Sequence, residues 1–119
     1  MTKKEYLQKL TTIKVDSKKV KKVETSYGTD LPEIIKKIVT NADETIFFDD
    51  GFRILSLDEI CDAEKDLHVD FKEKGIIPLA DCGENDFIVY HFEDEIWSKF
   101  NIIDETVFKK KSGFEELLK

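Results

Sequence analysis

The sequence predicts an α+β domain: an antiparallel sheet of about four to six strands with helices packed on it, the two N-terminal helices leading. Three observations predict it. Two stretches between Asp16 and Ala42 place their apolar residues at helical spacing, and short apolar runs bounded by Asp, Asn and Gly occupy residues 46–101. Two Ser-x-x-Glu pairs, Ser56 with Glu59 and Ser112 with Glu115, mark further helix starts.

The elements follow in chain order. Residues 1–14 form a lysine-rich lead-in, for which helix is one expectation, ahead of a single domain over residues 15–119. In "DSKKVKKVETSYG", Val20, Val23 and Tyr27 share one helix face, Asp16 or Ser17 caps the start and Gly28 suits the left-handed stop. In "TDLPEIIKKIVTNA", Pro32 is tolerated in a first helical turn, and Ile34, Ile35, Ile38 and Val39 make an apolar face. "ETIFFDDGFRIL" reads as a hairpin around Asp49-Asp50-Gly51, and "SLDEICDAEKDL" as a third helix followed by a polar connection, "VDFKEKG". Pro78 has no N–H for a ladder, which argues for an edge or irregular position for "IIPLA". "FIVYHF" is apolar on both faces and should be a central, covered strand. Glu93-Asp94 makes the next corner, "EIWSKF" continues as a strand, and Phe114, Leu117 and Leu118 belong to a last short helix.

Composition limits the classes of function. A chain of 119 residues with 40% apolar content fits one domain with a core of ordinary size. No apolar run of about 18 residues exists, and "MTKKEYLQKL" lacks the apolar stretch of a secretory signal, so a cytoplasmic protein is expected. Cys61 and Cys82 are expected as thiols. Charge is unevenly placed. The first 22 residues hold eight lysines against Glu5 and Asp16, although the whole chain carries −7.

The order of the pieces resembles the SUKH superfamily, which takes in fungal Smi/Knr cell-wall regulators and many bacterial toxin-immunity proteins. "ETSYGTDLPEIIKKIV" is similar to that family's opening signature at Glu24, Gly28, Leu31 and Pro32. "FRILSLDEI" is similar to its strand and Leu-Ser-Leu segment, and "IIPLADCGENDFIVY" to its hairpin with a Gly-containing turn. "SGFEELL" looks like its C-terminal helix, so the likeness covers about residues 20–119. The resemblance implies a non-catalytic immunity protein that neutralises a cognate toxin, often a nuclease; the alternative is an adaptor that binds a cellular partner.

The densest chemistry lies between Asp81 and Glu105, where eight acidic residues stand against Lys99. Asp81, Glu84, Asp86, Glu93, Asp94 and Glu95 are the partner-binding candidates, because such a field steers and holds a cationic surface, here a basic toxin domain. The competing reading is a solvated acidic face. Trp97, beside the corner, is expected to be a partly exposed aromatic anchor. Catalysis by Glu84 and Asp86 is disfavoured, since both lie on an open turn where nothing would hold two carboxyl pKa values apart. No metal or cofactor is expected, because Cys61, Cys82, His68 and His91 show no ligand spacing. His91 is expected to hydrogen-bond within the sheet, and acidic neighbours should keep the Cys82 thiol protonated. The N-terminal lysines lack aromatic interleaving, which argues against nucleic acid, and they read as a solvated helix face rather than a membrane contact.

Overall fold

The computed structural model describes residues 1–118. Helix α1 (Lys3–Thr12) starts at a reciprocal cap: Glu5 N–H donates to the Thr2 hydroxyl at 3.1 Å, and Thr2 N–H donates to the Glu5 carboxylate at 2.9 Å. Tyr6 and Leu10, one turn apart, are fully buried, and Tyr6 meets Phe48 edge-on with ring centroids 5.6 Å apart. The lysine-rich lead-in is therefore helical and packs into the same core as the rest of the chain.

Helix α2 (Ser17–Tyr27) is capped by Asp16, which accepts from Lys18 N–H at 3.0 Å, and stops at Gly28 with φ 67°. Helix α3 (Glu33–Thr40) follows Pro32 and buries Ile35, Ile38 and Val39, while Ile34 is only half-buried. Strands β1 (Ile46–Phe47) and β2 (Arg53–Ile54) pair around Gly51 as the expected hairpin. Helix α4 (Leu57–Cys61) has its Ser56–Glu59 capping box in place. The single helix expected from Ser56 onward breaks at Asp62 and resumes as α5 (Ala63–Leu67), which ends at His68 with φ 57°.

The supposed polar connection contains one more helical turn, α6 (Phe71–Lys74), whose Phe71 is fully buried with its ring 6.1 Å from that of Phe100. A single aromatic among charged neighbours shows no period in sequence. Burial holds it all the same.

The sheet is fully antiparallel in the order β1-β2-β3-β4-β5-β6, with β3 Ile76–Gly83, β4 Asp86–His91, β5 Ile96–Asn101 and β6 Val107–Lys111. Pro78 sits on an inner strand at an irregular point, so of the two expected placements the edge is corrected and the irregular position holds. Pairing with β2 involves only Asp81 and Ala80, which leaves Pro78 beyond the end of β2. On its other side β3 sets eight residues against six of β4 and slips register twice, between Pro78 and Ala80 and between Asp81 and Gly83. Strand β4 is the covered centre, with Phe87, Ile88, Val89 and Tyr90 each 5% exposed or less.

Strand β6 was not anticipated, because "VFKKK" has no alternation; pairing with β5 creates it. Trp97 and Phe100, three residues apart, point to opposite faces. Phe114 of α7 (Phe114–Leu118) covers Trp97 at 4.9 Å between centroids, while α6 covers Phe100, so helices flank both faces. At the start of α7, Gly113 N–H donates to the Glu116 carboxylate at 3.4 Å, where a Ser112–Glu115 box was expected.

Candidate functional site

Two turns hold the candidate carboxylates. Between β3 and β4 the loop is Glu84-Asn85, with φ 53° and 68°, the mirror-image two-residue turn whose twist suits a hairpin. Between β4 and β5 the loop is Phe92–Glu95, closed by Glu95 N–H donating to the His91 carbonyl at 2.8 Å, with Glu95 at φ 56°. These turns stand at opposite ends of β4, a strand of six residues. At about 3.3 Å per residue they are on the order of 20 Å apart. The structure thus separates Asp81, Glu84 and Asp86 from Glu93, Asp94 and Glu95.

Asp81 is engaged inside the fold. Its carboxylate lies 3.2 Å from the Arg53 guanidinium and accepts from Gly83 N–H at 2.8 Å. Arg53 also donates to Glu59 at 2.6 Å, so one cation joins β2, β3 and α4. Asp86 accepts from the Asn101 amide at 2.9 Å. The Asn101 side-chain oxygen accepts from Ile103 and Asp104 N–H at 2.9 and 3.2 Å, and Ile102 N–H donates to the Asn85 carbonyl at 2.9 Å. Asn101 therefore ties the β3–β4 tip to the β5–β6 tip, which gathers Glu84, Asp86, Asp104 and Glu105 at one end of the sheet. Glu105 pairs with Lys74. Nothing in the sequence marks Asn101 for this role; its partner is fifteen residues away.

At the other end Glu93, Asp94 and Glu95 are exposed and enter no ion pair among the described residues. Trp97 is 3% exposed, its ring 5.1 Å from Tyr90 and 4.9 Å from Phe114. The expected exposed anchor is corrected to a core residue: alternation along β5 turns Trp97 toward the face that α7 covers.

His91 Nε2 lies 2.7 Å from Ser98 Oγ, a bond within the sheet as expected. Burial lowers the His91 pKa, Asp94 opposes this and Lys110 adds to it. A serine beside a neutral imidazole has the spacing of a nucleophile and its base. Ser98, however, is 0% exposed, and an oxygen that no substrate reaches performs no attack. The pair is a satisfied polar contact in the core.

Cys82 is half-buried, and burial pushes its thiol up to about 11, with Asp81 and Asp86 adding to the effect and Lys99 and Lys3 opposing it. Desolvation is therefore the main cause, ahead of the acidic neighbours that the sequence suggested. Among the described residues no group of three or more His, Cys, Asp or Glu is placed to hold a metal ion, and no helix is long and apolar enough to cross a membrane.

No family model, curated protein or solved structure matches the chain.

Proposed function

We propose that this chain is a non-catalytic binding protein that neutralises a toxin by occupying its basic surface, as the resemblance to SUKH immunity proteins implies. One observation carries the reading. Glu93, Asp94 and Glu95 are consecutive, exposed and unmatched by any cation of the described chain, so their charge is available to an outside partner. A turn closed by a backbone hydrogen bond holds them in place, which limits the entropy lost on binding. Glu84 supplies a further exposed carboxylate at the far end, whereas Asp81 and Asp86 serve the fold. A nuclease groove lined for phosphate is the matching chemistry, because a carboxylate accepts the same Arg and Lys donors.

The test is protection of cells, and capture in vitro, with basic toxin domains encoded beside this chain. Reversing Glu93, Asp94 and Glu95 together to Lys should slow association at least tenfold, with an effect that shrinks in high salt. Unchanged protection and affinity would remove this turn from the interface. Capture of a host protein instead of a toxin would favour the adaptor function.

A further inference from the structure

Against a net charge of −7, two hollows of the molecule are lined by three lysines each; in the one on α2, beside Lys18 and Lys21, Lys22 is paired with Asp58, and the other lies between β5, β6 and α7. Lys99 of β5 and Lys109 and Lys111 of β6 surround a depression of about 300 Å³, together with Leu117 and Glu116 of α7. None of the three lysines forms an ion pair among the described residues, and Glu116 is turned toward Gly113 N–H. Lys99 also lies over the Phe52 ring at 5.1 Å from the centroid, and Lys3 lies over the same ring at 3.8 Å. Only Lys3 of these two has a carboxylate partner, Asp50.

The backbone contributes to this lining. Between the pairs Trp97–Lys111 and Lys99–Phe108 the register slips, and β6 spends one extra residue there. Lys109 adopts φ 52°, a left-handed conformation that a β-bulge uses to re-aim a side chain and that a lysine adopts at a cost. Lysines on an edge strand ordinarily discourage pairing with other chains, which accounts for Lys110. That role does not reach Lys99, which lies on an inner strand.

We propose that the Lys99, Lys109 and Lys111 hollow binds a compact polyanion of the phosphate class, a diphosphate being small enough to enter it and of a charge suited to three lysines without carboxylate partners. This site is separate from the carboxylate turn and does not depend on the toxin reading.

The experiment is titration of the intact protein with inorganic pyrophosphate at constant ionic strength, followed by calorimetry and by backbone amide chemical shifts. The wild type should bind saturably below about 1 mM, with shifts centred on residues 97–99, 107–111 and 116–117. Lys99→Met and Lys109→Asn should each weaken binding about fivefold or more, whereas Lys110→Asn, the same change of charge outside the hollow, should have less than a twofold effect. Asn accepts the left-handed backbone, so Lys109→Asn should keep or raise the melting temperature and cannot lose binding through unfolding. Equal weakening by all three variants would reduce the effect to a diffuse field and overturn the proposal. So would the absence of saturable binding up to about 10 mM.

Discussion

Replacing Glu59 by Gln probes a contact that joins α4 to β2 and to Thr45, the residue before β1. The carboxylate accepts from Ser56 N–H at 3.0 Å, from the Thr45 hydroxyl at 2.6 Å and from the Arg53 guanidinium at 2.6 Å. Burial by itself would raise its pKa; the Ser56, Thr45 and Arg53 hydrogen bonds and the Arg53 charge instead bring it from 4.5 to about 2. A carboxyl held at about 2 in the fold and near 4.5 in the open chain stabilises the folded state at neutral pH, because unfolding must then supply a less acidic carboxylate. Without screening the difference is about 3 kcal/mol. The side chain is 34% exposed, so the expected loss in Glu59→Gln at pH 7 is about 1–2 kcal/mol. Gln keeps the Thr45 and Ser56 hydrogen bonds through its one oxygen and turns an NH2 toward Arg53, so the variant removes the charge together with the Arg53 contact and leaves the cap in place.

The folded-state pKa is depressed, so this contribution is complete above about 4.5 and is lost as pH falls toward 2. The difference between wild type and variant should shrink to less than about half by pH 3. Urea unfolding reads it directly, with Trp97, the one tryptophan and 3% exposed in the fold, as fluorescent reporter. A loss under about 0.5 kcal/mol at pH 7, or a gap that stays constant from pH 7 to 3, would refute the role assigned to the Glu59 charge.

Two further outcomes are expected. Asn101→Ala removes the acceptor of Ile103 and Asp104 N–H and the donor to Asp86, and should cost about 2 kcal/mol on the same urea assay, with faster amide exchange confined to residues 84–86 and 101–106; exchange unchanged there would show that the two tips do not depend on each other. With a thiol held near 11, only about one Cys82 in ten thousand is thiolate at pH 7, so maleimide labelling followed by mass spectrometry should be slow and should accelerate steadily as pH rises toward 10; rapid labelling at pH 7 would contradict the burial.

Caps and periods carry local information, and where structure depends on them the sequence is legible. Asp16, Gly28 and the Ser56–Glu59 pair lie within a few residues of the groups they bond, so α2 and the start of α4 follow from adjacent residues. The apolar run of β4 likewise announces a strand covered on both faces. Elements with one apolar residue, such as α6, or none in alternation, such as β6, leave no such trace. Their existence rests on Phe71 meeting Phe100 and on β5 offering a free edge.

The candidate site divides in the same way. The sequence by itself determined the α+β class, the hairpins and the concentration of carboxylates between Asp81 and Glu105. Only the tertiary structure decided which carboxylates face outward. Arg53 takes Asp81 and Asn101 takes Asp86, while β4 carries Glu84 and Glu93 to opposite ends of the sheet. The same distinction explains Trp97, which in sequence stands between Glu95 and Lys99, two residues away on either side, and in space lies against Tyr90 and Phe114. The physical reason is range. Turns and caps are settled by atoms a few bonds away, whereas the exposure of a side chain depends on partners that strand pairing and helix packing bring from distant parts of the chain.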